Sequence, residues 1–211
     1  MYIVSICSRL SRIWEGTLGI KIGSNYSVLN SELFNSTPKI GYSFGAGIDY
    51  EFDDKFSVFY EVGYADIGMK IAAKEEGNDE YEFYKFNIIS VNSSLLINYY
   101  INNPELSVQI GPSYTISNQP RIKDEIRYYN YESKTNTDIG DDSAEYTLES
   151  LEHVFSGVKD LSLVIGVTTG IDNARLSLRY YKGVTSFFNG TIPLEAEIKR
   201  NYLEMSGLFF F

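Results

Sequence analysis

The sequence holds a single histidine, His153, and a single cysteine, Cys7. Around His153 stand Glu149, Ser150, Glu152 and Ser156. These are the residue types of a serine–histidine–acid hydrolase, in which the imidazole takes the hydroxyl proton and a carboxylate orients the ring. Their spacing is that of any polar loop, so the expectation is a histidine without catalytic duty and a chain that is not an enzyme. One imidazole excludes chemistry that needs two, and one thiol excludes an internal disulfide and a thiolate zinc site. The run from Asp138 to Glu145 (Asp-Ile-Gly-Asp-Asp-Ser-Ala-Glu) offers oxygen ligands suited to calcium but lacks the order of an EF-hand. A solvated acidic loop is expected there, with no metal and no cofactor.

A second set of charges lies inside apolar segments, where a charge needs a reason. Lys21, Asp49, Glu51, Glu61, Arg179 and Glu204 all fall on the polar parity of alternating stretches. Leaving such a charge unpaired in a packed interior costs several kcal/mol, about 3–5 for one partner of a buried pair. Glu61 and Arg179 are the expected central pair, with Lys21, Asp49 and Glu204 completing an ionic network. A gate or proton path is the functional reading. An ion-pair network that fills a narrow barrel is the preferred one.

The elements that must carry these charges show themselves by period. From Ile40 to Phe52 the even positions are Ile, Tyr, Phe, Ala, Ile, Tyr and Phe, and the odd ones Gly, Ser, Gly, Gly, Asp and Glu. A strict period of two is a strand signature that no amphipathic helix produces. Leu106 to Ser117 repeats it, with Ser107, Gln109, Gly111, Ser113, Thr115 and Ser117 on the polar face. In Phe56 to Ile71 the apolar parity switches near Ala65 and Asp66, which suggests a β-bulge. Eight strands are expected, near 16–28, 38–52, 55–72, 82–101, 105–117, 160–171, 174–186 and 198–211. Tight turns at 53–54, 102–104 and 172–173 alternate with longer links, the longest at about 118–159.

Composition agrees. Eighteen tyrosines and 13 phenylalanines beside 17 glycines favour strands over helices. Eighteen Lys and Arg against 28 Asp and Glu leave a net charge of −10, which argues against nucleic acid as a partner. No run of apolar residues is long enough for a transmembrane helix, a criterion silent on barrels.

Which face is inside decides the class. A soluble lipocalin-like barrel turns its oily face inward. Here the polar face carries Gly19, Gly23, Gly41, Gly45, Gly47, Gly63, Gly111, Gly166 and Gly183, small residues suited to a crowded lumen rather than a solvated wall. The apolar face carries aromatics near strand ends, namely Tyr50, Phe52, Phe56, Tyr99, Phe209 and Phe211, as an interfacial girdle requires. The expected fold is all-β, an eight-stranded antiparallel up-and-down transmembrane β-barrel over residues 16–211, preceded by an extension at 1–15. Residues 1–15 lack a basic n-region with an apolar core, so no signal peptide is read there.

Several stretches resemble a known family. Gly19-Ile20-Lys21-Ile22-Gly23-Ser24-Asn25-Tyr26-Ser27 is similar to the opening strand of the Bacteroidota outer-membrane β-barrel domain family, the PorT-like and OmpA-like small barrels. So is Phe56-Ser57-Val58-Phe59-Tyr60-Glu61-Val62-Gly63-Tyr64, followed by Gly68. Ile110-Gly111-Pro112 resembles the family's Gly-Pro strand, and Arg179-Tyr180-Tyr181-Lys182-Gly183-Val184-Thr185 its Arg-Tyr-x-x-Gly strand. Asn92 and Ser94 stand where that family often has Glu and Pro. The resemblance implies a bacterial outer-membrane location and contact with outer-membrane lipid. It also implies recognition by the insertion machinery through Phe211 and Phe209, and membership of a larger assembly such as type IX secretion.

The expected function is therefore a non-enzymatic membrane anchor that displays loops to a partner protein, with a rival in a barrel-embedded lipid A deacylase-like or protease-like enzyme. The candidate partner-binding loop contains Tyr128, Tyr129, Tyr131, Asp141 and Asp142. A short helix is expected over Glu145 to Val154.

Overall fold

Alternating β-branched and aromatic residues with glycine and serine between them build strands throughout the computed structural model, which describes residues 16–30, 36–73, 82–102, 106–122, 130–132, 145–147, 155–171, 173–186 and 198–211. In chain order these are β1 (Thr17–Asn30), β2 (Ser36–Glu51), β3 (Phe56–Ala73), β4 (Glu82–Asn102), β5 (Leu106–Arg121), β6 (Asn130–Glu132), β7 (Glu145–Thr147), β8 (Leu161–Ile171), β9 (Ala174–Gly183) and β10 (Lys199–Phe210). Eight of them close into an antiparallel barrel in the order β1-β10-β9-β8-β5-β4-β3-β2. The first and last strands meet along a register from Gly19 opposite Phe210 to Asn30 opposite Lys199, so no edge is left open. The short β6 and β7 pair with each other as a separate hairpin.

The tight turn after β2 is locked by one side chain. Asp53 Oδ1 accepts hydrogen bonds from the backbone N–H groups of Lys55 and Phe56, both at 2.8 Å, and Phe52 N–H donates to the Phe56 carbonyl at 2.9 Å.

Three expectations are corrected. The switch near Ala65 and Asp66 is not a bulge in β3. Its register with β4 runs unbroken from Phe56 opposite Tyr99 to Ala73 opposite Glu82, and odd residues face inward along its whole length. The irregularity lies instead across from it, in β2 between Pro38 and Ser43. What changes in β3 is the polarity of its faces, because the strand passes from one solvent to another. Second, Ser117 does not share the polar face of β5. A register shift opposite Val91 and Asn92 leaves both Ile116 and Ser117 exposed, and β5 continues to Arg121 with even residues inward. Third, Glu145–Thr147 is strand β7, not the start of a helix; positions 148–154, with His153, lie outside the described residues.

An apolar exterior runs around the wall. Leu18, Ile22, Tyr50, Phe52, Phe56, Tyr99, Leu95, Ile97, Leu178 and Phe209 point outward and are exposed. Such a continuous apolar exterior is incompatible with water and matches a lipid-facing band. In a soluble barrel the strand-centre residues Glu61 and Arg179 would be hydrated; here they are only 2% and 0% exposed. Tyr26, Tyr42, Tyr64, Tyr114 and Tyr180 form a second aromatic belt further along the strands, with Tyr64 stacked on Phe44 at 4.7 Å and on Tyr42 at 6.0 Å. From Phe56 to Tyr64 the strand matches the roughly 9–11 residues with which a tilted strand crosses a bilayer. Beyond that belt the outer face of β3 and β4 carries Asp66, Lys70, Lys85 and Asn87, while Ile67, Met69, Ile71, Phe86 and Ile88 are buried inside. Outside the membrane the barrel thus packs like a soluble one.

Candidate functional site

Within the membrane-spanning half, the lumen is filled by one hydrogen-bonded ionic network. Lys21 rises from β1 opposite Gly45, Glu61 from β3 opposite Gly47 and Ser94, and Glu204 and Arg179 are register partners on β10 and β9. Lys21 Nζ donates to Glu61 and to Glu204 Oε1 at 2.9 Å. Arg179 Nη1 donates to Glu61 Oε2 at 2.7 Å, and its Nε to Gln109 Oε1 at 2.8 Å. All four charged groups are buried.

Glycine makes the space. A Cβ on Gly166 would stand 2.8 Å from Arg179 Cγ, and one on Gly47 would stand 2.6 Å from the Phe59 ring, over which the Arg179 guanidinium sits at 5.6 Å. Gly47 and Gly166 are thus the seats of large lumenal side chains.

Asp49 belongs to the same network without touching the central pair. Its carboxylate accepts from Arg175 Nη1 at 3.0 Å and from the Tyr100 hydroxyl at 3.2 Å. Asn98 Nδ2 donates to Ser57 Oγ at 2.7 Å, and Gln109 Nε2 to Asn98 Oδ1 at 2.8 Å, which carries the chain of bonds to Arg179. Lys21, Arg175 and Arg179 therefore balance Glu61, Glu204 and Asp49, and the net charge of the network is zero. Glu51 stands apart at the rim, 55% exposed and 3.9 Å from Arg175.

Arg175, Gln109, Asn98 and Tyr100 are the members that sequence reasoning passed over as site residues. Arg175 was legible, because the inward parity of β9 through Arg179 and Ser177 extends back to it. Asn98 and Tyr100 share the inward parity of β4 with Ser94. Their mutual contacts come from strands far apart in sequence, and nothing local signals them.

The other half of the lumen is sealed differently. Phe155 and Val158, in a turn with Gly157 at φ 68°, insert among the apolar residues inside the barrel, and the Phe155 ring packs against Phe86 at 5.5 Å. Arg200 binds Asp160 at 3.3 Å and donates to Ser162 and Asn92, both at 3.3 Å. Tyr181 and Tyr202 stack at 4.1 Å between the two halves.

Of the remaining candidates, Phe209 and Phe211 are exposed on the outer side at the short-turn rim. Tyr131 pairs with Tyr146 in the β6–β7 hairpin. Tyr128, Tyr129, Asp141 and Asp142 lie outside the described residues. Among the described residues no group of His, Cys, Asp and Glu has the arrangement of a metal site.

Comparison with known proteins agrees with the geometry. Residues 9–189 match the family model described as "Outer membrane protein beta-barrel domain". Neisserial surface protein A superposes with a TM-score of 0.52 at 13% identity, covering 92% of this chain and 97% of that one. Ail, the attachment invasion locus protein of Yersinia pestis, gives 0.46 at 14% identity over 93% and 99%. The N-terminal barrel domain of Pseudomonas aeruginosa OprF gives 0.35 at 11% identity over 92% and 100%. Among curated proteins, none matches the sequence.

Proposed function

This chain belongs to the outer membrane protein β-barrel domain family and resides in the outer membrane, and from that premise we propose that it is a non-enzymatic anchor whose work is done by the loops it displays. The observation that carries this reading is the filled lumen. A neutral ionic network, buried but for the edge of Arg175, occupies the membrane half, and an apolar plug built on Phe155 and Val158 occupies the other. An eight-stranded barrel has an interior just wide enough for side chains, which leaves no aqueous path. On this reading Lys21, Glu61, Arg179, Glu204 and Asp49 hold strands together rather than move ions or protons.

What remains for function is the rim beyond the tyrosine belt, chiefly the segment between β5 and β8 with its tyrosines and acids. The rim of long links faces outward and the rim of tight turns faces the periplasm. The partner is a protein of the same membrane or a surface ligand. The resemblance of Glu61 and Arg179 to charged positions of the PorT-like group supports a subunit role in a larger assembly, including one for type IX secretion.

Removing residues 123–144 tests this. The variant retains the heat-resistant gel mobility of a folded barrel but no longer co-purifies with its partner from native membranes in mild detergent. Unchanged co-purification moves the contact to the lipid-facing wall. Large stable single-channel currents across planar bilayers contradict the anchor role outright.

A further inference from the structure

Beyond the tyrosine belt, cations gather on the outer face of three adjacent strands. Lys70 of β3 and Lys85 of β4 are register partners, and Arg121 of β5 stands opposite Asn87, one pleat along β4 from Lys85. Lys85 and Arg121 are exposed and Lys70 is half-buried on the same outward parity. Two lysines directly opposite on one face of a sheet repel, and cross-strand like charges destabilise the pair. Asp66, the carboxylate on this face of β3, does not relieve them, because it is bonded to Lys39 Nζ at 2.7 Å. Asn87 and Gln119, both on the outer face of the neighbouring strands, contribute neutral groups to the patch. In a chain with a net charge of −10, a triad of cations without an ionic partner among the described residues is a local inversion of the overall charge.

We propose that Lys70, Lys85 and Arg121 bind the phosphate groups of an anionic glycolipid of the outer leaflet, fixing the barrel to its lipid shell on the β3–β4–β5 side. The chemistry is that of phosphate by several N–H donors, with guanidinium supplying a bidentate contact. The position supplies the rest, since these donors stand on the outer wall on the far side of the belt that marks the membrane surface, with Lys70 six residues past Tyr64 on β3. A headgroup already held at the surface needs no enclosing pocket, whereas a soluble anion does. The inference rests on the long-link rim facing the outer leaflet. In detergent micelles that orientation does not enter, so loss of binding there speaks to the triad alone.

The test uses the full folded chain in micelles, titrated with lipid A bearing two phosphates and read by native mass spectrometry. Each of Lys70→Ala, Lys85→Ala and Arg121→Ala weakens retention about fivefold, and the triple variant roughly a hundredfold, as expected for one surface cation at a time. Lys55→Ala, an exposed cation at the opposite rim, leaves binding unchanged. Dephosphorylated lipid A binds the wild type as weakly as phosphorylated lipid A binds the triple variant. Because all three positions lie on the outer surface, heat-resistant gel mobility is retained in each variant. Equal binding by the triple variant, equal binding of the dephosphorylated lipid, or displacement by equimolar inorganic phosphate each overturns the assignment.

Discussion

Below the tyrosine belt the barrel is ionic within and oily without; above it β3 and β4 turn apolar residues inward and carry charges on the outside. On β3 the two regimes meet between Tyr64 and Ile67, with no slip of register against β4. Below, Glu61 faces the axis and Tyr60 and Val62 face lipid; above, Ile67, Met69 and Ile71 face the axis while Lys70 lies on the outer side. The difference teaches that sidedness in this fold is set by what surrounds the wall. Acyl chains reward apolar exteriors and leave the lumen to polar groups that satisfy one another. Water rewards polar exteriors and drives apolar side chains inward. Even in the lipid-facing wall a polar group finds a neighbour, as where Ser93 Oγ donates to the Tyr60 hydroxyl at 3.2 Å.

The sharpest way to break the comparison is to strip the ionic half of one member. Arg179→Ala leaves Glu61 with one cation instead of two and Gln109 without its charged donor, and it should cost about 3–5 kcal/mol of folding free energy in urea titrations from lipid vesicles. Arg179→Lys keeps the charge and loses the Nε bond to Gln109, so a cost of about 1.5–3 kcal/mol is expected. A loss below that for the alanine variant would show that the network is not what holds this half together.

A lysine placed on the outside separates the two regimes directly. Leu95, opposite Tyr60 and midway along the lipid-facing band, should lose about 2–4 kcal/mol on Leu95→Lys, whereas Ala72→Lys, on the outer face beyond the belt, should lose about 0–1. Equal penalties at the two positions would move the boundary away from the tyrosines.

The smallest effects come from single methylenes. Ile67→Val removes one from the buried interior above the belt and should cost about 0.5–1.5 kcal/mol, a core penalty. Ile97→Val, exposed to lipid, should sit at the lower end of that range, because acyl chains fill the space that a packed core cannot. Reversal of that order would deny that the upper lumen is packed.

Much of this was legible residue by residue. The period of two through Ile40–Phe52 and the glycines of the polar face named the class of fold, and Glu61, Arg179, Lys21, Asp49 and Glu204 all lie in one lumenal network, as their shared parity implied. The change of apolar parity at Ala65 and Asp66 was legible too, but its cause was not. A bulge and a change of solvent leave the same trace in one strand, and only pairing with β4 tells them apart. The strand ends were harder, with β5 running past Ser117 because its bulge disguised the continuation.

The primary structure by itself determined the strands, their alternation and the identity of the charges that must meet, because backbone pleating and turn chemistry act over a few residues. Tertiary structure alone decided which charge faces which, that Arg175 and Tyr100 complete the set around Asp49, and that Phe155 closes the far mouth. The contacts around Asp49 join strands from about fifty to 126 residues apart, the widest being Arg175 with Asp49, and such neighbours exist only once the wall has curled shut and the shear of its strands sets who stands opposite whom.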